Sequence, residues 1–214
     1  MLHLSQDPDA DRLLTEDPLA LLIGMVLDQQ IPLERAFRSP LDLRQRLGAD
    51  LDAGRLSATD PEELASVFAQ PPALHRFPGS MAGRVQDLCR TLVEDYAGQA
   101  TAVWGTAASG RELVARIKAL PGFGEQKAKI FTALLGKQMG VTPAGWREAT
   151  APFGEPGTHL SVADIEGLDS LARVREHKAA MKAAAKAAAA SRSGGGVSGA
   201  AVAAAKRAPA PTRD

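Results

Sequence analysis

Apolar positions recur every three to four residues through most of the first 140 positions, and no segment alternates long enough to argue a sheet. The pattern predicts an all-α fold. Its first strong segment is Asp17-Pro18 followed by Leu19–Ile31, which is apolar nearly all round and so belongs in the centre of the core. Asp17 is a capping residue, and Pro18 suits the first helical position because its missing N–H has no intrahelical partner there. Gln29, Gln30 and then Pro32 mark where this helix leaves the core to meet solvent or a ligand. Short helices are expected at Pro40–Leu47 and, behind Thr59-Asp60-Pro61, at Glu62–Ala69. Residues 71–79 read as a loop. Met81–Gly98 is amphipathic, with Met81, Val85, Leu88 and Leu92 on one face.

Gly110–Leu120 forms a further helix that runs into Pro121-Gly122-Phe123-Gly124, and another begins at once with Glu125. Val141–Leu160 holds three prolines and three glycines, which breaks it into loop or short turns of helix. Ser161–Asp164 then leads to an alanine-rich helix former, which Ser191-Arg192-Ser193 and three glycines end. The last 24 residues are Gly/Ser-rich and then Ala/Lys/Pro-rich, too poor in large apolar groups to offset chain entropy, so disorder is expected there. The organisation predicted is a helical domain over 1–176 and a basic tail over 177–214.

Composition narrows the class. Aromatics are 4%, and alanine inflates the 45% hydrophobic share, a mixture that favours helices over a sandwich or barrel. Cys89 is the only cysteine, so one chain cannot build a disulfide framework, a four-cysteine zinc site or a four-cysteine iron–sulfur cluster. His3, His75, His159 and His177 lack ligand spacing, and neither metal nor cofactor is expected. The start lacks a basic region followed by an apolar one, and no stretch reaches the ~18 apolar residues of a membrane span, so a cytoplasmic location is expected.

Charge is informative only by location. The 25 basic and 25 acidic residues cancel, yet residues 177–214 carry seven basic side chains against Asp214 alone. Residues 111–138 hold six basic side chains against Glu112 and Glu125, while residues 1–66 hold six against thirteen acids. An acidic body therefore bears a basic island and a basic tail.

The most informative stretch is Ile117-Lys118-Ala119-Leu120-Pro121-Gly122-Phe123-Gly124-Glu125-Gln126-Lys127-Ala128. Gly122 and Gly124 let the chain reverse tightly around Phe123, which anchors the turn in the core. A helix starting straight after Gly124 presents unpaired N–H groups and its positive dipole end, an arrangement that suits a phosphate. This segment resembles the helix-hairpin-helix motif of the helix-hairpin-helix-GPD superfamily of base-excision-repair DNA glycosylases. The Leu21–Ala36 segment is similar to the early helix of that domain, and His75–Gly98 to the helix preceding its hairpin. The likeness spans roughly residues 15–140 and is closest to a small, cluster-free bacterial subgroup.

The resemblance implies duplex DNA, damaged in particular, as the partner of a nucleoid-associated monomer. It implies a wedge at Gln30 with Gln29 beside it, chemically apt because an amide can bond an orphaned base; the residues alone equally fit a polar helix end. Gly122, Phe123, Gly124, Gln126, Lys127 and Lys129 become the DNA-binding hairpin. Bifunctional members carry a lysine two residues past the second glycine, where this chain has Gln126, so a family member of this kind lacks lyase activity there. Lys127 lies about 100° further round and is expected to face away from the pocket, towards a phosphate. The family aspartate falls at 144–146, which are Ala144, Gly145 and Trp146; the nearest carboxylate is Glu148, either catalytic or a helix-start acid. Trp146 stacks on a flipped base or anchors packing. Lys178, Lys182 and Lys186 share one face of the tail helix and either neutralise phosphates or solubilise the chain. The function implied is a monofunctional DNA N-glycosylase that flips and excises a damaged base. The alternatives are a non-catalytic recogniser of damaged DNA and, third, a protein-interaction module whose hairpin serves only packing.

Overall fold

The computed structural model describes residues 1–193, and among these the chain is all helical, with eleven α-helices, one short 3-10 turn and no strand. Three of the helices begin with the same Asp-Pro device. These are α1 (Pro8–Glu16), α2 (Pro18–Leu27) and α5 (Pro61–Ala69), each with proline in its first turn. The preceding Asp7, Asp17 and Asp60 accept from two amides of that turn, at 2.8–3.2 Å. Each carboxylate thereby satisfies N–H groups the helix cannot, next to the positive end of its dipole. The α2 and α5 starts match the sequence reading, whereas α1 was not anticipated although Asp7-Pro8 carries the same signal.

Helix α2 is buried from Leu19 to Leu27, as its all-round apolar sequence requires. Helix α3 (Leu33–Leu47) begins a full two turns before the expected Pro40 and carries that proline inside it. An internal proline costs about 3 kcal/mol. Phe37, Leu41 and Leu43 are all buried on the same helix, and each such side chain contributes about 1.5–3 kcal/mol, which more than offsets the proline. Phe37 fits because Gly24 leaves room for it: a Cβ on Gly24 would stand 2.8 Å from the Phe37 ring.

A short α4 (Ala53–Ala58) precedes α5, and both pack on α6 (Pro78–Tyr96), whose Met81, Val85, Leu88 and Leu92 are buried as their spacing predicts. Beyond α7 (Ala102–Gly105), α8 (Gly110–Ala119) and α9 (Glu125–Gln138) form a pair joined by the Leu120–Gly124 turn. The Pro/Gly-rich stretch holds α10 (Trp146–Thr150), and Val162–Asp164 makes the 3-10 turn. Asp164 locks that turn to α9. Its carboxylate accepts from Lys137 Nζ at 2.5 Å, from Thr158 Oγ1 and from the Leu160 and Ser161 amides.

The last helix, α11, spans Leu168–Ser193, so it runs on through Ser191-Arg192-Ser193 before the glycines. Met1–Arg175 forms one compact unit, to which α11 contributes the buried Leu171 and Val174; a second unit begins at Glu176. In that second unit Lys178, Lys182 and Lys186 are exposed. Disorder is expected from 191 onward, but 191–193 are helical; the rest of that stretch, with Lys206, Arg207 and Arg213, lies outside the described residues. No helix among the described residues is long and apolar enough to cross a membrane.

Candidate nucleic-acid interface

The hairpin has the geometry its glycines permit. Gly122 adopts φ +89°, a left-handed conformation that a side chain would strain, and a Cβ there would lie 3.2 Å from Val26 and 3.1 Å from Arg84. The turn is therefore seated directly against the last turn of α2. Phe123 is buried and packs on Phe131 at a ring-centroid distance of 5.7 Å, so it anchors the turn from within and presents nothing to a ligand. Gly124 caps α9 without any side-chain hydrogen bond, and Gln126 is exposed beside it, leaving the first amides of a fourteen-residue helix open.

Lys127 corrects the sequence reading. It does not face outward. Its Nζ donates to the Met25 carbonyl at 2.7 Å and to the Val26 carbonyl at 3.3 Å, placing a cation at the C-terminal, negative end of α2. Burial holds its ammonium below the usual lysine range, with the Asp28 carboxylate opposing that shift and Arg84 adding to it. Lys129 remains at the surface, 3.8 Å from Glu125, which Lys118 also reaches at 2.7 Å across the hairpin. Those contacts, Lys118 foremost, pull the Glu125 carboxyl below its ordinary value. Two further members of the basic island are taken up by acids of the chain: Arg116 bonds Glu112 at 2.5 Å and also Thr106, and Lys137 is buried against Asp164.

Other cations take their place. Arg84, from α6, donates to Gln29 Oε1 at 3.1 Å and lies against Gly122, between the α2 end and the hairpin. Gln29 is further fixed by Nε2 donating to Val26 O at 2.7 Å. The loop before α6 supplies His75, buried, whose Nδ1 accepts the Phe77 N–H, so that Nε2 carries the proton donated to the Gln29 carbonyl at 2.8 Å. Phe77 itself is 43% exposed, with the Arg76 guanidinium 4.7 Å from its ring centroid. Gln30 is exposed at the tip of this edge with φ +57°, a left-handed conformation that costs a residue with a Cβ about 1–2 kcal/mol.

The structure thus brings Gln29, Gln30, Gly122 and Lys127 together and adds His75, Arg76, Phe77 and Arg84. Sequence reasoning passed over these four because His75, Arg76 and Phe77 lie in a proline-flanked loop that carries no periodic signal, while Arg84 reads as an ordinary polar position on α6. The His-Arg-Phe-Pro run next to a strong helix start was the only local clue.

Trp146 and Glu148 are not part of this edge. A Cβ on Gly136 would fall 2.4 Å from the Trp146 ring, and one on Gly110 would fall 2.3 Å from its Cα. Both glycines sit at the ends of α8 and α9 remote from the turn, Gly136 about 18 Å along the helix from Gly124 at 1.5 Å per residue. Trp146 is 5% exposed, and Arg147 covers its ring at 4.5 Å, so it is a packing anchor with no face left for a base. Glu148, two residues on in α10, is exposed at that same remote end, where a carboxylate cannot act on a sugar held at the hairpin. Among the described residues no group of three or more histidine, cysteine or carboxylate side chains is placed to hold a metal. Comparison with known protein families and with curated proteins finds no match for the chain.

Proposed function

We propose that the chain is a base-excision-repair protein of the helix-hairpin-helix-GPD type that binds duplex DNA and removes a damaged base as a monofunctional N-glycosylase. The observation that carries this reading is the joining of the Gly122–Gly124 turn to the Gln29–Gln30 turn on one edge, through Lys127 and Arg84. The open amides of α9, with Lys118 and Lys129 beside them, suit a backbone phosphate. Gln30, held outward, enters the base stack and bonds the base left unpaired, while Phe77 offers an apolar face to stack upon. With Gln126 at the place of the family's lysine, the backbone is left uncut after excision. Stabilising an oxocarbenium-like sugar needs a carboxylate at the edge itself, and Asp28, directly before Gln29, has that position.

A second reading is a non-catalytic recogniser of distorted DNA. It is favoured by the remoteness of Glu148 together with Gln126. Duplexes containing uracil, alkylated purines, oxidised guanine or mismatches, treated with alkali after incubation, separate the two. Base release that Asp28→Asn abolishes and Glu148→Gln leaves intact supports the glycosylase. No release from any substrate, with Gln30→Ala still weakening binding to damaged duplex, supports the recogniser. Unaltered DNA affinity in Lys118→Glu plus Lys129→Glu sinks both.

A further inference from the structure

Helix α3 carries a second charged feature that stands apart from the hairpin edge. Arg35, Arg38, Asp42, Gln45 and Arg46 follow one another at steps of three, four, three and one residues, which places them on one face of the helix. Together with Pro72 they line a cavity of about 510 Å³ that opens to solvent.

The three guanidinium groups are held in place without being fully neutralised. Arg35 donates to the Pro72 and Ala73 carbonyls at 2.8 and 2.7 Å and to Asp42 at 2.6 Å. Arg46 donates to the Val67 and Pro72 carbonyls, both at 2.8 Å. Arg38 reaches Asp42 through Nε at 3.2 Å and Asp7 through one terminal nitrogen. Carbonyl bonds fix an arginine but leave its charge in place. Asp42 is the only carboxylate in the wall, and even with Asp7, which holds Arg38 from outside it, cations outnumber carboxylates by three to two.

Donors remain as well as charge. A guanidinium has five N–H groups, and among the described residues the second terminal nitrogen of Arg38 and the Nε of Arg46 donate to no protein acceptor. Arginine loses affinity chiefly through the entropy of ordering its long side chain, and here that ordering is already done by the protein. Fixed guanidinium N–H donors with surplus positive charge in a solvent-open cavity suit a phosphate group.

We propose that the cavity between α3 and the Gln70–Ala73 turn binds a phosphate group, from either a free phosphorylated compound or a nucleic-acid backbone. The site does not depend on the hairpin reading. Its test is a titration of the full chain with inorganic phosphate, pyrophosphate and a short undamaged duplex, at ionic strength held constant with sodium chloride. The readout is the arginine Nε–H resonances of Arg35, Arg38 and Arg46. Saturable shifts with phosphate or pyrophosphate assign a free phosphorylated ligand; saturation with the duplex alone assigns the backbone. In either case Arg38→Gln weakens binding about tenfold or more. Gln45→Glu, an exchange at an exposed wall position that spares the Arg38 contacts, sets a carboxylate in the cavity and does the same. Shifts that merely follow ionic strength, or no saturable shift with any of the three, overturn the proposal.

Discussion

Lys127 Nζ donates a 2.7 Å hydrogen bond to the Met25 carbonyl, 102 residues back along the chain, and so closes the hairpin onto the last turn of α2. A lysine that the helical wheel directs outward is instead the clasp between the two segments that define the candidate interface. The contact also gives α2 a cation where its dipole is negative.

Replacing this clasp is expected to cost stability in a pH-dependent way. Lys127→Met leaves the Met25 and Val26 carbonyls without their donor and lowers stability by about 1.5–3 kcal/mol, read from denaturant midpoints. Because burial depresses the folded-state pKa below 10.5, the unfolded chain binds more protons between that depressed value and 10.5. The wild type therefore gains stability as pH rises through that window, and the cost of Lys127→Met grows with it. A cost that shrinks towards pH 10.5 contradicts the buried placement.

The ion pair beneath α9 is a second point of sensitivity. Lys137 and Asp164 have side chains only 13% and 3% exposed, so removing one partner strands the other in a poorly solvated site. Lys137→Met is expected to cost about 3–5 kcal/mol, and pairing it with Asp164→Asn to recover part of that loss. Thermal unfolding of the single and double variants measures both. Equal melting of the wild type and Lys137→Met argues against the pair as a lock on the 3-10 turn.

Trp146 should behave as core. Trp146→Ala is expected to destabilise by about 3–5 kcal/mol through the cavity left against Gly136 and Gly110. Gly136→Ala should cost about 1–3 kcal/mol from the opposite fault, overpacking. In a Trp104→Phe background, duplex DNA should leave the remaining Trp146 emission unchanged; quenching on binding would show the ring in contact with bases.

Gly122→Ala tests the seat of the hairpin. A Cβ at φ +89° and 3.2 Å from Val26 should cost about 1–2 kcal/mol and lift the turn off α2. Duplex affinity, measured by anisotropy under conditions where the variant remains folded, should fall along with it, whereas Gly98→Ala, whose site is spatially open, carries the backbone strain alone.

What the chain's order of residues determined by itself is local. The Asp-Pro pairs set helix starts because a carboxylate and a missing N–H solve the same end problem wherever they occur, and the 3.6-residue periodicity of Met81 to Leu92 chose the buried face of α6. The Gly-Phe-Gly reversal, too, was legible, since left-handed backbone is written in the glycine that permits it. Tertiary structure alone decided which side chains meet. It carried α3 back through Pro40 because burying Phe37 together with Leu41 and Leu43 outweighs the internal proline, and it turned Lys127 and Lys137 inward towards partners far off in sequence. It also set Trp146 and Glu148 at the far end of α9, drew His75 to Gln29 at the end of α2 with Phe77 beside it, and laid Arg84 against the hairpin. Helix geometry follows from neighbours along the chain. The sign and place of a charge follow from what packs around it, which no local pattern encodes.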